Sequence, residues 1–269
     1  MNSTSEPQHP TVLLRISRLQ LRLGRQAILR DISLEIRQGE YLSLVGPNGA
    51  GKTSLLKCLG RLQRGWQGCI QAAGRDLRHC TQRETARLLS YVPQATDTTI
   101  PFTCLEFVLM ARYPHLSPFT TLKPADRALA DEALVNTGTR ELRHRRMDTL
   151  SGGERQMIMI AAALAQGAQI MLLDEPAAFL DYRHQQQIFR LLGELNRSHG
   201  TTIIAVSHDI NSACRWSHRV AALRDGRLLF CRPAAEVLHP PVLHEIYNTE
   251  FVMARTPAGR QWAALEDGA

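Results

Sequence analysis

Eight residues, Gly46-Pro47-Asn48-Gly49-Ala50-Gly51-Lys52-Thr53, constrain this chain more than any other feature. They fit the spacing GxxxxGK(S/T), and their neighbours supply the context that the motif needs. The apolar run YLSLV reads as a short buried strand before the loop, and Leu55, Leu56, Leu59 and Leu62 recur at helical spacing after it. Strand, glycine loop and helix place successive backbone N–H groups around phosphates at a helix N-terminus that favours anions. Lys52 adds a compact point charge, and Ser54 continues the loop into the helix. Only three of the 32 basic residues are lysine, Lys52, Lys57 and Lys123. A chain that prefers arginine still places an ammonium where a planar guanidinium would not fit a tight cradle.

The rest of the chain reads as an α/β protein. Its 269 residues, 44% hydrophobic and 21% charged, are enough for one large core or a core with a subdomain. Residues 11–37 alternate apolar and polar, as antiparallel strands with one wet face do. LLSYVPQ, IMLLDEP and TTIIAVSHD are apolar runs ending in polar residues, the pattern of buried parallel strands at their carboxyl ends. CLEFVLMARY and ADRALADEALVNTG have helical periodicity, and Asp225-Gly226 marks a hairpin turn. The expected division is a polar tail (1–10), antiparallel β and the first part of a nucleotide-binding core (11–94), and a helical subdomain (95–150). The second part of the core (151–235) and a C-terminal extension (236–269) complete it.

Some classes are excluded. The polar start MNSTSEPQHP has no charged region followed by an apolar one, so no export signal is expected. The most apolar window, Met157 to Leu173, is broken by Gln166, Gly167 and Gln169 and reads as a helix running into a strand rather than a membrane span. The six cysteines form no CxxC pair and are expected to be free thiols. The net charge of +7 is spread along the chain, so no nucleic-acid surface is expected.

Further residues carry chemistry. Asp174 and Glu175 end an apolar strand, which suits Asp174 to Mg²⁺ and Glu175 to polarising a hydrolytic water as general base. The Thr53 hydroxyl is a second candidate Mg²⁺ ligand. His208 ends another strand and points to a hydrogen bond with the γ-phosphate and the attacking water. Gln94 ends a third strand at the same edge. A second glycine-rich stretch, LSGGERQ at 150–156, lies about a hundred residues beyond the first. A Ser-Gly-Gly run is also an anion loop, and one nucleotide does not need two.

These motifs, in this order, resemble the ATP-binding cassette subunits of ABC transporters over about residues 12–250. GPNGAGKT is similar to that family's Walker A, Gln94 to its Q-loop, LSGGE to its signature and IMLLDEP to its Walker B. Leu180-Asp181 is similar to its D-loop and His208 to its switch histidine. The resemblance implies a P-loop NTPase core of mixed sheet, with an antiparallel β subdomain and an inserted helical subdomain. It implies ATP and Mg²⁺ as cofactors, with Thr53, Gln94 and Asp174 on the metal, the last through water. It also implies a head-to-tail dimer in which Ser151, Gly152, Gly153 and Glu154 of one copy contact the nucleotide on the phosphate loop of the other. Three positions depart from the family pattern. Glu154 stands for the commoner glutamine, Leu23 for an aromatic residue against adenine, and AAFLD for a Ser-Ala-Leu-Asp style of D-loop.

FTCLEFVLMARYPHL and the stretch from AAFLDYRHQQQ to AVSHDIN resemble the importer ATPases for iron–siderophore, haem and cobalamin complexes. That implies separate integral-membrane permease subunits, indirectly a substrate-binding protein, and a peripheral place on the cytoplasmic face of the cell membrane. Phe102, Leu105, Phe107 and Tyr113 are candidates to line the groove for a permease helix, with core packing as their other fate. An exporter ATPase and a soluble ABC ATPase such as an iron–sulfur assembly factor stay open as alternatives.

Overall fold

The computed structural model describes residues 11–94, 99–117, 121–255 and 259–265. The chain begins with β1 (Val12–Leu23), β2 (Gln26–Arg37) and β3 (Tyr41–Val45), then α1 (Lys52–Leu59), β4 (Gln67–Ala72), β5 (Arg75–Asp76), α2 (Gln82–Leu88) and β6 (Leu89–Val92). The helices α3 (Cys104–Met110), α4 (Pro124–Asn136) and α5 (Gly152–Ala165) follow. Then come β7 (Ile170–Leu173), α6 (Tyr182–His199), β8 (Thr202–Val206), α7 (Ile210–Trp216), β9 (Arg219–Arg224) and β10 (Arg227–Pro233). The described chain closes with α8 (Pro240–Tyr247), β11 (Phe251–Arg255) and β12 (Gln261–Leu265).

Two sheets build the body. The larger has the order β10-β9-β3-β8-β7-β6, parallel throughout except for the β9–β10 hairpin. β3, β7 and β8 are buried along their whole length. Alternate residues of a strand face opposite sides. Leu42, Leu44, Leu172 and Ile204 therefore enter one core, and Tyr41, Met171, Leu173 and Ile203 enter the other. The first core lies against α1 and the antiparallel sheet of order β2-β1-β4-β5; the second is closed by α5 and α6. A strand buried on both faces is apolar nearly throughout, which is why these runs show no polar alternation and carry only Ser43 and Thr202 as buried polar residues.

A third core joins α3, α4 and one face of α5, through Cys104, Val108, Leu134, Met147, Ile158 and Ala161. Helix α5 therefore serves two cores at once, with Ile160 and Ala163 facing the sheet and Ile158 and Ala161 facing the helices. Arg112 ties this group to the body. Its Nε donates to Asp126 Oδ1 at 3.0 Å and its Nη1 to Ala165 O at 2.7 Å, and both charged residues are buried.

Several details differ from the sequence reading. Helix α1 ends at Leu59, and Leu62 is 53% exposed beyond it, because Gly60 caps the last turn. The strands β4 and β5 and the helix α2 were not anticipated, since QGCIQA carries little apolar alternation and α2 is only seven residues. The β11–β12 hairpin is held by a distant side chain. Asn211 pairs with Ala263 through both backbone groups, accepting at 2.8 Å and donating at 2.9 Å, as a neighbouring strand would. All six cysteines are free.

Candidate functional site

The phosphate-loop geometry is set by close approach. A Cβ on Gly46, which has φ of 139°, would lie 2.0 Å from Leu223 O, so only glycine fits against β9. Gly51 adopts φ of 97° as N-cap of α1 and offers no side-chain cap. The first-turn N–H groups of that helix therefore receive no acceptor from the cap residue, which suits an anion. Lys52 is buried and its Nζ donates to Gly46 O at 2.7 Å and Pro47 O at 2.9 Å. Burial lowers its pKa, and the nearby Glu175 and Asp174 carboxylates oppose that shift.

The two carboxylates are held differently. Asp174 is 3% exposed; its Oδ1 accepts from Thr53 Oγ1 at 2.8 Å and its Oδ2 from Tyr91 Oη at 2.9 Å. Its backbone N–H donates to Val92 O, continuing the β6–β7 ladder by one residue. Glu175 has a positive φ of 51°, a conformation that a non-glycine residue adopts at some cost. That turn sends its side chain toward the ends of β6 and β8. Gln94 Nε2 donates to Glu175 Oε2 at 2.9 Å, and His208 Nε2 contacts Glu175 Oε1. Two residues distant in sequence thus converge on one carboxylate, beside a second that is held by a threonine and a tyrosine.

Glu175 and His208 also line a cavity of ≈ 290 Å³ over the loop, together with Asn48, Gly49, Ala50, Gly51, Lys52, Thr53 and Ser54. Its far wall is Gln26 and Ile28 of β2. Leu23, expected against a base, ends β1 at 46% exposure, and the side chains of that sheet lining the cavity are those two. The sequence reading also missed Tyr91. A tyrosine three residues before Gln94 becomes meaningful only once β6 is known to pair with β7.

The oxygen donors near the loop fit a hard cation. Thr53, Asp174 and Gln94 offer one hydroxyl, one carboxylate and one amide, and Mg²⁺ uses few protein ligands because it keeps waters and takes phosphate oxygens. Among the described residues there is no cluster of three or more His, Cys, Asp or Glu able to cage a metal by itself.

The structure does not bring LSGGERQ to this cavity. Ser151 is the N-cap of α5, exposed, in a capping box: its Oγ accepts from Glu154 N–H and Glu154 Oε2 accepts from Ser151 N–H at 2.8 Å. Those bonds hold the Glu154 carboxyl below its usual range. Glutamate at this position is therefore half of the helix cap, a job that glutamine also performs. Gly152 approaches Leu180, and Gly153 lies against His184. Asp181 is the N-cap of α6 and accepts from His184 N–H at 2.9 Å.

Phe102 and Tyr113, 40% and 71% exposed, line a largely apolar groove of ≈ 780 Å³ with Leu109, Met110, Leu116 and Leu122, to which Glu106 and Arg127 add charge. Leu105 and Phe107 instead pack half-buried on the helical core. Residues 95–98 and 118–120 of the expected permease-facing segment lie outside the described residues.

A family profile described as ABC transporter matches residues 29–178. The iron(3+)-hydroxamate import ATP-binding protein of Bacillus subtilis is 36% identical over 244 residues, 91% of each chain. The ferric enterobactin transport ATP-binding protein of Escherichia coli is also 36% identical over 244 residues, 91% of this chain and 90% of that one. Among solved structures, a bacterial ABC transporter cassette described as dimeric superposes with a TM-score of 0.72 at 26% identity, over 82% of this chain and 99% of that one.

Proposed function

This chain belongs to the ABC transporter family as an ATP-binding, ATP-hydrolysing subunit, and from that membership we propose that it powers import of a ferric siderophore through separate permease subunits. The convergence of Gln94 and His208 on Glu175, next to the Thr53–Asp174–Tyr91 group, carries the hydrolytic half of the reading. In it, Lys52 and the backbone N–H groups of residues 48–54 bind the β- and γ-phosphates, while Pro47, which has no N–H, shapes the loop. Thr53, Gln94 and, through water, Asp174 would hold Mg²⁺, which would shield the phosphate charge. Glu175 takes a proton from the attacking water, while His208 orients that carboxylate and contacts the γ-phosphate.

The signature supports a head-to-tail dimer. Ser151, Gly152 and Gly153 lie outside the cavity of their own phosphate loop, so a second copy is needed to bring an LSGGE stretch over it. ATP then becomes part of the interface, and its hydrolysis removes that contact. The likeness to a cassette described as dimeric supports an assembly of two copies.

Import follows from the relatives. Two of them, named for different ferric siderophores, are equally distant at 36% identity, which supports the cargo class and not one member of it. No helix among the described residues is long and apolar enough to cross a membrane, so the membrane path belongs to other subunits in this reading. The groove beside Phe102, Met110 and Tyr113 is its permease-facing site, and a peripheral place on the cytoplasmic face follows. The test is uptake of ⁵⁵Fe-labelled siderophores in a strain lacking the gene. Loss of ferric siderophore uptake, restored by the wild-type gene and not by Glu175→Gln, is expected; normal uptake of every siderophore tried overturns the cargo.

A further inference from the structure

His184 stands three residues after Asp181 and was no part of the expected site. Its imidazole lies against the signature helix. A Cβ placed on Gly153 would meet His184 Cδ2 at 2.4 Å and Cγ at 2.7 Å, closer than real Cβ atoms come. The ring is held in this orientation by its Nδ1, 2.7 Å from Asp181 Oδ2, and the backbone N–H of His184 donates to Asp181 Oδ1 at 2.9 Å. A second contact runs parallel to the first: a Cβ on Gly152 would lie 3.2 Å from Leu180 Cδ2. The loop itself is pinned by Gln185 Nε2, which donates to Leu180 O at 3.0 Å.

Stability alone does not account for this arrangement. The His184 and Asp181 side chains are 36% and 63% exposed, and such pairs contribute little to folding. Helix α5 begins with two glycines, at its first and second positions. The second is filled by a ring from another element. Two segments that both end at the surface, Ser151–Glu154 and Leu180–Asp181, are thereby fixed to one another at atomic contact.

We propose that His184 is a positioning residue that locks the signature turn of α5 and the Leu180–Asp181 loop into one unit, so that both meet a second copy of the chain in a single fixed geometry. Gly153 is then glycine partly for a reason inside its own chain, to admit this ring. The inference rests on the reading that the signature acts on nucleotide bound by a second copy.

The experiment uses the purified full-length chain with a non-hydrolysable ATP analogue, reading nucleotide affinity by fluorescence and dimer formation by sedimentation. His184→Ala should keep nucleotide affinity at its own phosphate loop and weaken nucleotide-dependent dimerisation about 10–100-fold, the scale on which small misplacements act. His184→Asn, whose amide can replace Nδ1 toward Asp181, should dimerise as wild type does. Gly153→Ala should weaken dimerisation, and adding His184→Ala to it should restore part of the loss by removing the ring. A wild-type dimer untouched by His184→Ala, or a double variant no better than Gly153→Ala, overturns the inference alone. A wild-type chain that stays monomeric with the analogue removes the two-copy reading and this inference with it.

Discussion

Tyr91 Oη donates to Asp174 Oδ2 at 2.9 Å, and so fixes the carboxylate whose other oxygen holds Thr53. Burial and the adjacent Asp174 raise the tyrosine's pKa, so the phenol stays protonated and remains a donor. Tyr91→Phe keeps the ring and removes only this bond. The half-saturating Mg²⁺ concentration for ATP hydrolysis should rise about tenfold, as for lost outer-shell partners of metal ligands. Metal-free nucleotide affinity should not change. An unaltered Mg²⁺ titration would show that Thr53 alone suffices to aim Asp174.

Lys52→Ala removes the one ammonium of the loop and leaves Gly46 O and Pro47 O without their donor. Both ATP affinity and hydrolysis should be lost, since no other lysine or arginine lines the cavity among the described residues. Equilibrium binding of a fluorescent ATP analogue checks this directly, and wild-type affinity would count against the phosphate-loop assignment.

What could be read from the sequence was local. GPNGAGKT needs only its own eight residues and the strand and helix on either side, and each backbone requirement sits inside the motif. Gly46 against Leu223 is the exception, a contact across 177 positions that the motif encodes without explaining. The apolar runs ending in Gln94, Asp174 and His208 gave the strands, but not that Gln94 and His208 both reach Glu175. That required the order β3-β8-β7-β6. Tyr91, the Arg112–Asp126 pair and His184 were invisible for the same reason, because each acquires its role from a partner in another element, which for His184 is Gly153 of α5. The C-terminal hairpin was obscure because an asparagine on α7, rather than a strand, completes its pairing.

Glu175→Gln tests the general base. The amide keeps the shape of the side chain and can still meet Gln94 and His208, but it cannot accept the proton. Hydrolysis should slow about 10²–10⁴-fold, the usual worth of a positioned base, while ATP binding persists. The variant should therefore accumulate as an ATP-bound dimer, seen by size-exclusion chromatography. Near-normal turnover would remove Glu175 from this role.

Arg112→Ala tests the join between the helical group and the sheet. It strips Asp126 and the carbonyls of Ala165 and Gln166 of one shared donor. Leaving half of a buried pair should cost about 3 kcal/mol of stability, read as a lower midpoint in urea. The bond from Lys123 N–H, then the Arg112 guanidinium, holds the Asp126 carboxyl below its ordinary range. A carboxylate with a depressed folded pKa stabilises above its ordinary pKa of about 4 and loses that contribution as pH falls through the lowered value. Wild type should therefore lose more stability on acidification than Arg112→Ala does, and equal acid sensitivity would place the wild-type loss elsewhere.

The separation of two anion loops by about a hundred residues makes the last prediction. Combine one copy carrying Lys52→Ala with another carrying Ser151→Arg. The second change also removes the α5 cap, worth about 1 kcal/mol, which a helix buried on two faces can absorb. Each variant alone builds a dimer in which both sites are damaged. In the mixed dimer, if the signature acts across the interface, the damaged phosphate loop faces the damaged signature. The other site then joins an intact phosphate loop to an intact signature. One nucleotide should be trapped per mixed dimer purified through two different tags. If each signature served its own phosphate loop, both sites of the mixed dimer would stay damaged and mixing would rescue nothing. Trapped ATP is the right readout, because turnover can require two working sites even when one nucleotide is fully enclosed. A mixed dimer shown to have formed, yet holding no nucleotide, would remove LSGGERQ from the neighbouring copy's site.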